Sequence, residues 1–305
     1  MRGNKKSTAM LIGAMVTFGT LGPFVRNIGV GSGELALYRA TMAALLIGAF
    51  LLIRREKIPF ASIKKALPLL LISGMAMGIN WILLFEAYKY TTVSTATLSY
   101  YFAPVIVTVA CPILFKEKMS PKKWICFAAS TLGIVLITGI GDMSAGSTHL
   151  LGIAFGIGAA VFYATVILLN KTIRGVEGIH RTLLQFISAI IVLLPYVLLT
   201  DGISLGGLDG TGWVCLVTVG LVHTGVAYIL YFSSLKELPG QQVAILSYID
   251  PLVAVIVSVT VLREELGWLQ VLGGALVLGF TLWNELPSKK KEEPSEKDKT
   301  EKENQ

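Results

Sequence analysis

The sequence predicts an all-α integral membrane protein with ten transmembrane helices arranged as two inverted five-helix repeats. Three observations lead to this fold class. Hydrophobic residues make up 54% of the 305-residue chain and charged residues only 15%, against about 25% charge in an ordinary soluble domain. The charges fall in short clusters between apolar stretches long enough to cross a ~30 Å hydrocarbon layer, which takes about 20 residues. A pattern around residue 100 also recurs around residue 247.

Taken in order, the apolar stretches place spans near 8–26, 34–53, 66–87, 91–114 and 124–140 in the first half. The second half has spans near 150–169, 182–200, 212–235, 240–262 and 268–286. The first stretch carries no small-residue cleavage site and continues to membrane length, so it reads as a span and not as a removable signal. Each span is expected to be helical. Lipid cannot satisfy backbone N–H and C=O groups, and these runs lack the alternation of barrel strands. Beyond the last span, residues 288–305 hold six lysines and six acids with no apolar residue, which reads as a disordered charged tail.

Lysine and arginine set the expected direction. With the N-terminus inside, alternate loops collect 22 of the 26 basic residues on the cytoplasmic side. Arg26, Lys89 and Arg263 lie at the other face, and Arg39 lies within a span. This bias predicts a multi-pass protein of the plasma membrane with both termini cytoplasmic. The net charge of +7 reflects this asymmetry. The basic residues share no face, so nucleic acid is not an expected partner. The expected partners are a small-molecule substrate and membrane lipid, with a homodimer left open.

An offset of 147 residues aligns Leu98-Ser99-Tyr100-Tyr101-Phe102-Ala103-Pro104 with Ile245-Leu246-Ser247-Tyr248-Ile249-Asp250-Pro251. It also places Lys116-Glu117-Lys118 on Arg263-Glu264-Glu265, and Gly78 on Gly225. The period covers five spans, so the second unit enters from the opposite side, giving repeats at 1–140 and 141–287. Inverted halves suit alternating access, because each half adopts the other's conformation in turn. Pro104 and Pro251 fall mid-span, where a proline removes a backbone hydrogen bond and bends a helix. Equivalent breaks in both halves point to a central site, and packing alone is the competing role for these prolines.

At these residues the chain resembles the drug/metabolite transporter superfamily, in its EamA-type branch. The resemblance rests on Phe18-Gly19, Tyr38-Arg39-Ala40, Phe85-Glu86-Ala87-Tyr88-Lys89-Tyr90-Thr91, Ala103-Pro104 with its following Lys116-Glu117-Lys118, and the second-half counterparts Asp250-Pro251 and Arg263-Glu264-Glu265. It covers residues 8–286. It implies a ten-helix basket in which the first, third, fourth, sixth, eighth and ninth spans surround a cavity, and relatives that export amino acids and other metabolites or exchange sugar phosphates. The late spans lack the paired basic residues that hold phosphate in such exchangers, which argues against phosphorylated substrates.

Charge at the bilayer centre costs ~2.5–3.5 kcal/mol on insertion scales, so every intramembrane ionisable group needs a role. Asp250 precedes Pro251 and has no counterpart, since Ala103 occupies the matching position. It reads as a proton carrier or a site for an amino group, with a cap on broken-helix carbonyls as the structural alternative. His223 could carry a proton or bond a neighbouring helix. Glu86 could line an outer vestibule or pair with Arg39 or Lys89. Arg39 reads as a structural or gating clamp. Tyr100, Tyr101, Tyr248, Trp81 and Asn80 are candidates to line the cavity, where aromatic faces hold cations or apolar groups. Gly74-x3-Gly78 and Gly152-x3-Gly156 permit close helix approach. Cys111, Cys126 and Cys215 match no metal spacing, and no phosphate loop or hydrolase motif is present. No cofactor, metal or catalytic residue is expected. The leading expectation is a secondary transporter exporting amino acids or related metabolites, with proton coupling open. Uptake of an organic cation such as choline or a polyamine is an alternative, and a membrane-embedded enzyme or lipid scramblase is another.

Overall fold

A computed structural model describes residues 5–55, 60–116, 120–137, 147–176, 178–200, 202–235, 237–238 and 240–286. The charged tail, residues 138–146 and most of Lys116-Glu117-Lys118 lie outside these residues. The described chain is helical, and every predicted span falls on a helix or on consecutive helical pieces. In the first half these are α1 (Lys5–Gly19), α2 (Leu21–Arg26), α3 (Ser32–Ile53), α4 (Phe60–Tyr90), α5 (Val93–Tyr100), α6 (Ala103–Phe115) and α7 (Pro121–Ile137). The second half has α8 (Ser147–Thr172), α9 (Gly178–Leu199), α10 (Gly210–Val217), a π-helical stretch (Thr218–Val226), α11 (Ala227–Leu235), α12 (Gly240–Ser247), α13 (Ile249–Thr260) and α14 (Trp268–Glu285). Among the described residues, seven helical stretches are long and apolar enough to cross a membrane, and Ile245–Thr260 and Trp268–Asn284 are shorter apolar helices. The protein is therefore an all-α, multi-pass membrane protein.

Helix starts follow local chemistry. Thr92 caps α5 by accepting a hydrogen bond from the Thr95 amide at 3.1 Å, and Asp209 caps α10 by accepting from the Gly212 amide at 2.7 Å. Both satisfy amides that the first turn leaves without partners. Three helices end in a basic residue with left-handed backbone: Arg55 after α3, Lys116 after α6 and Arg263 after α13, with φ of 52°, 54° and 57°. Lys116 and Arg263 are partners under the 147-residue offset, so equivalent segments stop in the same way. A cation at a helix C-terminus also complements the exposed carbonyls.

The packing is mostly helix against helix with small residues at the crossings. α4 packs on α8 and α9, α3 on α9 and the π stretch, α7 on α14, and α1 on α11 and α13. The expected close approaches are present. A Cβ on Gly74 would stand 2.5 Å from the Gln185 carbonyl oxygen, and one on Gly156 would stand 2.9 Å from Ser99 Cβ. The largest core gathers Leu35, Ala40, Trp81, Phe85, Phe186 and Leu193 between α3, α4 and α9.

The role expected of the prolines needs correcting. Pro104 is the second residue of α6 and Pro251 the third of α13. The helix stops at Tyr101–Phe102 and at Tyr248, then restarts, so each proline occupies a first turn where its missing N–H costs nothing. The chain is broken ahead of the proline and is not bent by an interior one. Prolines that do lie inside helices are Pro68, Pro112 and Pro195.

Candidate functional site

Four interruptions bring polar chain into the apolar interior. They are the Thr20 junction between α1 and α2, the Tyr101–Phe102 junction, the π stretch, and the Tyr248 junction. At the first, the Thr20 hydroxyl donates to the Thr17 carbonyl at 2.8 Å. A Cβ on Gly19 would come within 2.5 Å of the Asp250 carbonyl oxygen, so only glycine lets this junction lie directly on the start of α13. The π stretch widens the helix. Thr224 donates to the Val219 carbonyl five residues back at 2.8 Å, and His223 Nδ1 faces the Thr218 carbonyl at 3.4 Å. Such stretches are rare and gather at functional sites.

The two broken helices matched by the repeat meet through their side chains. Tyr101 Oη donates to Asp250 Oδ2 at 2.5 Å, joining the first half to the second. Tyr88, Tyr100, Tyr163 and Tyr228 lie within electrostatic reach of the same carboxyl. Tyr100 stacks on Tyr163 with centroids 5.2 Å apart and meets Tyr101 edge-on at 5.9 Å. Asn80 donates to the Ala159 carbonyl at 2.7 Å, tying α4 to α8. Tyr248 is half-buried at its junction. Asp250, Tyr101 and Tyr100 therefore form one connected group, with Asn80 beside Tyr100.

Arg39 and Trp81 form a second. The Arg39 guanidinium lies 4.5 Å from the Trp81 ring centroid and 5.3 Å from that of Phe85, and its Nε donates to Thr224 Oγ1 at 3.1 Å. Trp81 meets Phe186 edge-on at 5.3 Å, and Phe186 meets Tyr228 at 5.4 Å. Tyr228 interacts electrostatically with both Arg39 and Asp250 and so connects the two groups. The other predicted residues sit apart. His223 Nε2 contacts Thr20 Oγ1 at 3.1 Å and its ring faces Phe24 at 4.7 Å, so it braces the α1–α2 junction. Glu86 pairs with Lys89 at 2.8 Å near the surface. Of the two partners open to it in the sequence, Lys89 holds it and Arg39 does not.

Sequence reasoning missed Tyr88, Tyr163, Tyr228, Phe186 and Thr224. Thr224 adjoins the singled-out His223, and a polar pair in mid-span was the available signal. Glu34 was also missed. Fully buried at the start of α3, it accepts from Tyr38 Oη and from the Ser204 amide, each at 2.6 Å, and from the Ser204 hydroxyl. Among the described residues no group of three or more His, Cys, Asp or Glu side chains is arranged to hold a metal.

A cavity of about 530 Å³ opens beside these groups, lined by Val25, Arg26, Leu35, Phe85, Tyr88 and Lys89 among others. Phe85 and Tyr88 thus face this vestibule as well as the Arg39 neighbourhood.

The sequence model of the EamA-like transporter family matches the chain twice, at residues 5–139 and 150–284. An uncharacterized transporter of Bacillus subtilis (strain 168), YxxF, is 31% identical over 258 residues, covering 83% of this chain and 82% of that protein. An uncharacterized transporter of Archaeoglobus fulgidus is 28% identical, covering 91% and 96%. A biotin transporter of Escherichia coli (strain K12) is 24% identical, covering 81% of each chain. A crystal structure 15% identical in sequence aligns with a TM-score of 0.62 over 91% of this chain and 96% of that one, a likeness of fold.

Proposed function

The chain belongs to the EamA-like transporter family, and from that premise we propose that it is a secondary transporter moving small metabolites, amino acids or related compounds, by alternating access. Its relatives bear the names of transporters and not of enzymes, and membrane transport is its function. The substrate class, the export direction and the rocking of two inverted halves belong to the proposal. So do the plasma-membrane location, the cytoplasmic termini and the role of Asp250 as proton carrier or ammonium site.

One observation supports the reading above the others: the Tyr101–Asp250 hydrogen bond, which links the interruptions of the two repeat-matched helices inside the bundle. An ionisable group at such a junction favours a substrate or coupling site. Uptake of an organic cation is the second reading, favoured by the tyrosines around Asp250. It is weakened by the buried Arg39, because a cation site is poorly served by a guanidinium sharing Tyr88, Tyr100 and Tyr228 with the carboxylate. Lipid scrambling or embedded catalysis would leave the repeat without a purpose.

Purified protein in liposomes, with and without an imposed pH gradient, is the test. Labelled amino acids, choline and biotin are offered in parallel with a lipid-flip assay. Saturable movement of an amino acid or related acid supports the proposal. Movement of choline alone favours the second reading, and lipid flipping without solute transport overturns both.

A further inference from the structure

We propose that Arg39 anchors a carboxylate of the transported molecule. The inference rests on the transport reading above and names the chemistry of its substrate. Arg39 is 4% exposed. A guanidinium offers five N–H donors, yet Nε to Thr224 is its one hydrogen bond among the described residues. The ion pairs among those residues are Arg26–Glu264 and Lys89–Glu86, so Arg39 has no acid of its own there. The faces of Trp81 and Phe85 offset part of its desolvation, but they accept none of its remaining protons.

Glu34 provides the contrast on the same helix. Its buried carboxylate is met by Tyr38 Oη, the Ser204 amide and the Ser204 hydroxyl, as expected of a charge kept for structure. The two Nη groups of Arg39 donate to no protein atom among the described residues, and they are not sealed from solvent, so water holds them until an anion takes its place. The planar fork matches a carboxylate through two parallel hydrogen bonds. A phosphate dianion fits less well, because it would bring two charges to one cation. Tyr88, Tyr100 and Tyr228 lie within electrostatic reach of both Arg39 and Asp250, so a positive and a negative group flank the same tyrosines. The Phe85 ring lies 5.3 Å from the guanidinium and also lines the 530 Å³ cavity, so this ring stands between the cavity and Arg39.

The experiment measures thermal stability of the purified full chain. The probes are the amino acids and simple monocarboxylic acids, each beside its methyl ester. The expected result is that at least one free acid raises Tm while its ester does not, since a ligand stabilises in proportion to its affinity for the folded state. Arg39→Lys keeps the charge but loses the fork and should weaken that acid about 10-fold or more, the scale of a lost charged hydrogen bond. Arg39→Gln should abolish the shift. If both variants fail to fold, the acid–ester pairs on the unaltered chain still decide. Equal stabilisation by acids and esters, no stabilisation by any free acid, or undiminished affinity in Arg39→Lys and Arg39→Gln each overturns the inference. Failure of the transport reading looks different: acids bind through Arg39, but liposomes never accumulate or release them.

Discussion

Tyr101 and Asp250 are 149 residues apart, yet one hydrogen bond joins them, and both were legible before the fold. The repeat selected Tyr101, and the absence of a repeat partner selected Asp250. Tyr88, Tyr163 and Tyr228 were not legible, because a single tyrosine in an apolar run does not reveal whether it faces lipid, a neighbouring helix or a chamber. Asp250→Asn should leave the fold and substrate binding intact but abolish transport driven by a pH gradient, if the carboxyl carries a proton. If it receives a substrate ammonium, affinity itself should collapse. Normal transport at every pH with only a lower Tm would make Asp250 a structural cap. Tyr101→Phe removes one hydrogen bond to this carboxyl, worth about 1.5–3 kcal/mol for a charged acceptor. Its effect should resemble that of Asp250→Asn in kind and be smaller in size, measured as initial transport rate against external pH.

Among the helices, the continuous ones were the easiest to foresee and the broken ones only half so. α3, α4, α8 and α9 are long apolar runs bounded by charge or glycine. Their ends fell within a few residues of expectation, apart from the N-terminus of α4. The breaks before Pro104 and Pro251 carried a proline signal, although the proline starts the second piece and does not kink one helix. The Thr20 junction and the π stretch carried none. Both are stabilised by neighbours: Thr20 by His223, and Thr224 by Arg39 and the Val219 carbonyl. Where helices cross closely the sequence was informative, because glycine spacing reports contact directly. Gly74 lies against Gln185 and Ser188 of α9, whereas a methyl group on Gly48 would meet nothing within 4 Å. Gly74→Leu should therefore overpack the α4–α9 crossing and cost about 1–3 kcal/mol, visible as a lower Tm in detergent. Gly48→Ala should leave Tm unchanged or slightly raised. Equal effects at both sites would mean that α4 and α9 approach less closely than these contacts imply.

Across the molecule, the connections sort into two ends, as alternating spans require. Arg26, Thr91, His149 and Glu264 gather at one end through hydrogen bonds and an ion pair, whereas Ser7 meets Glu237 and Lys122 meets Leu286 at the other. On the proposed orientation, with both termini cytoplasmic, the second end faces the cytoplasm. Reporters fused after Gly141 and after Gln305 should accordingly report external and cytoplasmic positions; the reverse pattern would invert the protein. The Arg26 end is tied across the two halves. Arg26 Nη1 pairs with Glu264 Oε1 at 2.7 Å, and Nη2 donates to the Thr91 carbonyl at 2.9 Å. Glu264 accepts from the Val93 and Ser94 amides at 3.0 and 3.4 Å and from the Ser258 hydroxyl. α2, the end of α4, the start of α5 and the segment after α13 are thus fastened by one ion pair. If the halves rock, this fastening must release whenever that end opens. Arg26→Ala should then raise the open population about tenfold, which corresponds to ~1.4 kcal/mol. Cys111, Cys126 and Cys215 are buried and are replaced for the measurement. Tyr101→Cys then reports from the junction between α5 and α6 to a membrane-impermeant maleimide added on the Arg26 side of liposomes. Labelling should accelerate several-fold with Arg26→Ala and with Glu264→Gln, and saturating substrate should slow it. An unchanged labelling rate in both variants would mean that the Arg26–Glu264 pair fastens loops without gating that junction.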